Sequence, residues 1–202
     1  MSVHGGPPTE AGEDDAIVAA TRRWIERAVI GLELCPFARA PFVQQRVRIR
    51  VSRARDAEAL AADLQVEAEL LASGDPAQTE TTLLVHPHVF GDFLAYNDFL
   101  DVADALLVDL ELDGILQVAS FHPGYQFADA EPEAVENCSN RSPFPTLHLL
   151  RESSIDRAVE VMPDTDAIYL RNIQTLRTLG HAGWRALWDE PSPPIPEPRE
   201  SD

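Results

Sequence analysis

The chain has no lysine; its sixteen Lys/Arg positions are all arginine. That absence excludes a lysine Schiff base, a Walker-type phosphate loop and any catalytic lysine. Positive chemistry must come from arginine, histidine or the amino terminus, and arginine prefers planar partners such as carboxylates and phosphates. Cysteine is almost as scarce. Two residues, Cys35 and Cys138, cannot build a disulfide framework. No apolar run is long enough to span a membrane, and none near the start resembles a signal peptide. These absences predict a cytoplasmic protein.

Acid is abundant. The net charge of −18 argues against nucleic acid and against membrane as partners. The positive charge is unevenly spread: nine of the sixteen arginines lie between Arg22 and Arg55, and five between Arg46 and Arg55. That run reads either as a local basic patch or, more simply, as protection of an edge strand.

Met1 to Glu13 is rich in Gly, Pro and Glu, so residues 1–13 are expected to form a disordered tail. Asp14 or Asp15 is placed to cap a first helix reaching about Leu32, with Ile17, Trp24, Ile25, Ala28, Val29 and Leu32 at helical spacing. Pro36 ends it. Arg46 to Val51 alternates strictly, which predicts a strand with Val47, Ile49 and Val51 inward and its arginines outward. Asp56 opens a second helix to Ser73, with Leu60, Leu64 and Leu71 on its inner face. Thr81 to His86 reads as a buried strand ended by Pro87. Phe93, Tyr96, Leu100, Ala103, Leu107 and Leu110 then mark an amphipathic helix whose polar side carries Asn97, Asp98, Asp101 and Asp104.

Two further strands follow, Ile115 to Phe121 and Thr146 to Leu150. The last of them is free to pair antiparallel, since no full-length helix precedes it. Pro163 fits the first turn of a closing helix through Ile168, Tyr169, Ile173, Leu176 and Leu179. Gly180 either caps that helix or interrupts one that resumes through Trp184 and Leu187. A Pro/Glu-rich tail over residues 189–202 is expected to be disordered. Strands alternating with helices predict an α/β fold: a single layered domain over residues 14–188, with an about four-stranded, mainly parallel or mixed sheet packed with helices.

Four stretches carry a resemblance. They are Trp24 to Ala38, Tyr96 to Leu106, Gln117 to Pro123 and Asn140 to Glu152. Together they resemble the bacterial domain of unknown function 1415 family, over about Ala16 to Leu187. The resemblance implies one continuous domain and brings no activity, cofactor or catalytic residue with it. Function is left to the residues.

The chain is built around Gly114 to Glu152, where a strand breaks at His122-Pro123, a long polar loop follows, and a strand resumes at Thr146. A structureless loop of this length inside a compact domain is uncommon and usually functional or disordered. Val85-His86-Pro87 and Phe121-His122-Pro123 repeat one motif, each ending a buried strand, and ligands of open α/β sheets bind beyond such carboxyl ends. If those strands are neighbours, His86 and His122 lie side by side, and His148 approaches from the last strand. His86, His122 and His148 are therefore candidate acid-base groups, or candidate ligands of a divalent metal such as zinc or iron. Asp98 or Asp92 would add an acid, with Asn97 and Asp101 beside it. The bland alternative is that each histidine bonds a local backbone carbonyl.

Arg141 is the candidate anchor for an anionic substrate, with Asn137, Asn140 and Tyr125 as further binding residues and Phe127 and Phe144 as walls. An ion pair with Glu136, Glu152 or a helix aspartate is the alternative use of Arg141 and Arg151. Cys138, in the polar loop, would be a nucleophile only if a neighbour lowered its pKa. Cys35 reads as a small buried core residue. The expectation is a small enzyme acting on a small-molecule anionic substrate, hydrolysis being the least specific guess. Its rival is a non-enzymatic ligand- or protein-binding domain with structural histidines.

Overall fold

The computed structural model describes residues 10–161 and 165–189. Most of both expected tails, and Pro163, lie outside these residues. The first helix, α1 (Glu10–Trp24), starts earlier than the capping aspartates suggested, and it continues as a π-helical segment over Ile25–Ile30. Asp14 and Asp15 lie inside the helix and do not cap it, and Glu13 and Asp14 have another use. They pair instead with Arg53, at 3.1 and 2.7 Å, and so fasten the start of α1 beyond the first strand. A short helix α2 (Arg39–Val43) leads to β1 (Val47–Val51). Helix α3 (Ala57–Ser73) is capped as expected, the Asp56 carboxylate accepting from the Ala59 N–H at 2.8 Å. Strand β2 (Thr81–Val85) is buried at every position, and α4 (Phe93–Asp109) is capped by Asp92. Then come β3 (Leu116–Phe121), a 3₁₀ turn (Val135–Asn140), β4 (Thr146–Arg151), α5 (Glu152–Val161) and α6 (Thr165–Ala186).

The sheet is mixed, in the order β1-β2-β4-β3. β1 and β2 run parallel, and β4 is antiparallel to both β2 and β3. The two His-Pro strands are therefore parallel but not adjacent, because β4 lies between them. Two strand spacings, about 10 Å, separate their backbones. The loop after β3 makes this possible: it returns the chain to the same end of the sheet, and β4 fills the gap between its two flanks.

Helices cover both faces, which is why β2 is buried throughout, its two threonines included. On one face Leu60, Leu64 and Leu71 of α3 and Tyr96, Phe99, Ala103 and Leu107 of α4 pack on Leu84, Leu147 and Leu149. On the other, Trp24, Ile25, Ala28, Ile30 and Phe42 pack on Leu83, with Ile49, Phe121, Trp184 and Trp188 alongside. β1 is an edge strand, as its pattern predicted, but two of its arginines do not simply face water. Arg48 and Arg50 point to the α3 side, where the buried Glu67 carboxylate meets them at 2.7 and 3.8 Å. The buried stripe of α4 also differs: Tyr96, Phe99, Ala103 and Leu107 form it, and Phe93 and Leu110 at its ends are half-buried. Phe99 is enclosed, packing on Phe90 at 4.8 Å, and Leu100 is half-buried.

Candidate functional site

His86 and His122 do meet, through a third ring. The Tyr96 ring of α4 is sandwiched between the two imidazoles, stacked at 5.6 Å on His86 and 5.1 Å on His122. Its hydroxyl donates to the Thr146 carbonyl at 2.8 Å and accepts from the Phe121 N–H at 3.2 Å. It thereby ties α4 to the start of β4 and the end of β3.

Each histidine is engaged by backbone. His122 Nδ1 accepts from the Gly124 N–H at 2.9 Å, so Nε2 carries the proton and donates to the Phe90 carbonyl at 3.0 Å. His86 Nδ1 donates to the Val89 carbonyl at 3.1 Å, and its Nε2 is buried without a partner. His148 is elsewhere. It pairs in register with Leu83 and Ala119, on the face opposite Tyr96, and its Nε2 lies 2.7 Å from the Thr81 hydroxyl. Thr81 donates onward to the Leu149 carbonyl, so the imidazole is the donor of that pair. Strand alternation alone forbids His148 from joining the other two, because residues one apart point to opposite faces. Among the described residues, no group of three His, Cys, Asp or Glu side chains is placed to hold a metal ion. Burial pushes His86 and His148 down to about 4 and lowers His122 as well.

None of the candidate acids hydrogen-bonds these rings among the described residues, although the Asp92 charge is felt at His122. Asp98, Asn97 and Asp101 are exposed on the outer side of α4, and Asp92 is spent as its cap. Asn137 is fully buried and holds the loop's own backbone, accepting from Phe127 N–H at 3.1 Å and donating to Glu131 O at 2.9 Å. Asn140 ties the loop to β3. Its carbonyl accepts from His122 N–H at 3.2 Å and its amide donates to Ser120 O at 3.3 Å. Tyr125 packs between Phe93 and Phe127.

The cysteines exchange their expected environments. Cys138 is the buried one, packed with Leu34 and Leu176, and burial raises its thiol pKa, against a nucleophilic role. Cys35 is half-buried. The cause is the 3₁₀ turn, which α6 presses inward: Arg177 pairs with Glu136 at 2.7 Å, and His181 Nε2 contacts the Glu133 carbonyl at 2.9 Å.

Arg141 is where the sequence placed it, at the strand ends, and among the described residues no carboxylate pairs with it. Its Nε donates to the Tyr125 carbonyl at 3.1 Å and its Nη2 to the Pro132 carbonyl at 2.9 Å. It forms one wall of a cleft of about 510 Å³ beyond the carboxyl end of β3. Pro123, Ser142 and Pro143 of the loop line the same wall, Ala20, Arg23 and Trp24 come from α1, and Trp184 and Trp188 come from the C-terminal segment. Arg23 is exposed and makes no ion pair or hydrogen bond among the described residues. The Trp24 indole N–H is buried without a partner.

All three tryptophans of the chain meet in this one cleft. Sequence reasoning had Trp24 as core and Trp184 as a helix marker, and did not bring them together. Their i, i+4 spacing after Gly180 (Trp184, Trp188) was the signal available. A more open groove of about 400 Å³ along Leu32, Gln174 and Leu179 offers no charged group.

Among the described residues no helix is long and apolar enough to cross a membrane. No curated protein and no solved structure matches the chain. Residues 16–186 do match a family profile, described as "Protein of unknown function (DUF1415)", and the chain belongs to that family.

Proposed function

We propose that this is a cytoplasmic ligand-binding domain whose tryptophan-lined cleft takes a small organic anion. One observation carries the reading. In a chain of net charge −18, two guanidinium groups that make no ion pair, Arg23 and Arg141, share a cleft with every tryptophan present. Some arginines find carboxylates, as Arg46 and Arg157 do on Glu80, Arg48 on Glu67 and Arg177 on Glu136, and others such as Arg22, Arg39 and Arg55 make no ion pair among the described residues but do not line this cleft. Charge held beside an apolar concavity and left unneutralised suits an anion with an organic body.

Binding fits better than turnover at the histidines. Both nitrogens of His122 are committed to backbone, and the open nitrogen of His86 is buried. Two cysteines without a disulfide fit a reducing cytoplasm. Isothermal titration calorimetry against a panel of organic carboxylates and phosphates tests the proposal. At least one should bind with Kd between about 1 μM and 1 mM, and added salt should weaken it. A panel that gives no heat at low salt sinks the reading.

A further inference from the structure

We infer that two copies of this chain pair through β3 about a two-fold axis at Val118, so that their four-stranded sheets become one continuous sheet. The sheet has two edges, β1 and β3, and they are built differently. β1 carries Arg48 and Arg50, and charged side chains guard an edge against pairing. β3 has no charged residue, no proline and no break in its register, and only Leu116 of its residues is buried. Ile115, just before it, is 49% exposed. An uncharged open edge is a template for a further strand.

The direction of each backbone group follows from the ladder. β3 runs antiparallel to β4, so its residues alternate between those bonded to β4 and those whose N–H and C=O point away. The Glu152 N–H donates to the Ile115 carbonyl at 2.9 Å, which puts the odd-numbered residues on the β4 side. The even-numbered ones face outward, and the bonds formed there agree. The Leu116 N–H donates to the Leu112 carbonyl at 3.0 Å, and the His122 N–H to the Asn140 carbonyl at 3.2 Å. The Ser120 carbonyl accepts from the Asn140 side-chain amide at 3.3 Å. The outward groups left without a partner among the described residues are the Leu116 carbonyl, the N–H and carbonyl of Val118, and the Ser120 N–H.

These groups complement themselves. With a two-fold axis at Val118, the two Val118 residues exchange both of their bonds, and each Ser120 N–H meets the Leu116 carbonyl of the other copy. The next bond of that ladder would run from the Leu116 N–H to the Ser120 carbonyl, and those are the two groups already satisfied within the chain. A strand from another protein would require no such symmetry about one residue. In this register Ile115 falls opposite Phe121 of the other copy, which covers an exposed apolar side chain. None of the pairing residues lines the tryptophan cleft, so dimer and cleft stand or fall separately.

Sedimentation velocity of the full chain, from about 1 μM to about 500 μM, should show a dimer that dissociates on dilution. Hydrogen exchange read residue by residue locates the contact. The Val118 and Ser120 amides should exchange at least about tenfold more slowly in the dimer than in the monomer. The Leu116 amide, bonded within its own chain, should change far less. Val118→Pro removes an outward donor and no bond to β4, and proline is tolerated where an edge N–H faces away from the sheet. The variant should keep the parent's far-UV spectrum and stay monomeric throughout. A parent chain that is monomeric across the whole range overturns the pairing, and so does a dimer in which neither amide slows. Protection that persists in the monomer would mean that the chain covers its own edge, which also overturns it. A folded Val118→Pro that dimerises as the parent does has the same force. Should that variant unfold, exchange on the parent still decides between these outcomes.

Discussion

His86 sits where three constraints meet: a strand end, a stacked tyrosine, and a backbone carbonyl that takes its only donor. Burial holds the ring neutral in the folded chain, down to about pH 4, against 6.5 when it is free. The sign follows directly. The unfolded chain takes a proton that the folded chain refuses, so stability is whole above the unfolded value and declines as pH falls from 6.5 toward 4. His86 alone should contribute a loss of about 3 kcal/mol across that window. His148 and His122 are shifted in the same direction. Guanidinium denaturation at stepped pH checks this, with His86→Gln as the non-titrating comparison. The variant should flatten the decline, and an unchanged slope would remove His86 from the account. Residues of this kind were half legible. The repeated His-Pro break after a buried strand was reason to place His86 and His122 at one end of the sheet. It could not reveal that Tyr96 would enter between them, because that depends on where α4 crosses the sheet.

Among the elements, β1, β2, α3 and their ends followed from alternation, caps and breakers, because those signals are local. α4 was legible as a helix, and its stripe was misread at Phe99 and Leu100. Phe99 and Leu100 are adjacent and both apolar, so spacing by threes and fours admits either, and packing against Phe90 decides. Phe99→Ala should therefore cost about 3–5 kcal/mol, and Leu100→Ala clearly less. Urea melts of the two variants compare them directly, and an equal loss would mean that both side chains share the interior. The insertion of β4 between β2 and β3 was not legible, since strand order is a long-range property of the returning loop. α5 was also missed: it begins the residue after β4 ends, with no cap or breaker to announce it. At Gly180 the spacing allows either a cap or a break within one helix. The residue takes φ 64°, a conformation that glycine adopts readily, and the helix resumes beyond it.

At the scale of the molecule, the place of Arg141 at the strand ends was legible and the meeting of the tryptophans was not. Arg141 could be inferred because a loop that leaves and re-enters one sheet must end near its start. The tryptophans could not, because they come from opposite ends of the chain and meet only after α1 and the last turns of α6 are laid against the same face. That meeting has an optical consequence. With every indole in one cleft, the protein's tryptophan emission reports on that corner and is blind to the α3–α4 layer, whereas its far-UV dichroism sums the helices of the whole chain. Two of the three emitters lie past Gly180, on a segment tied to the body by an Arg27 bond to the Leu187 carbonyl and by the contacts of His181. Under mild denaturant the emission should shift red at a lower concentration than the dichroism is lost, the mark of a corner that opens before the core. Coincident curves would mean instead that this corner and the sheet unfold together, and that the cleft is as rigid as the interior behind it.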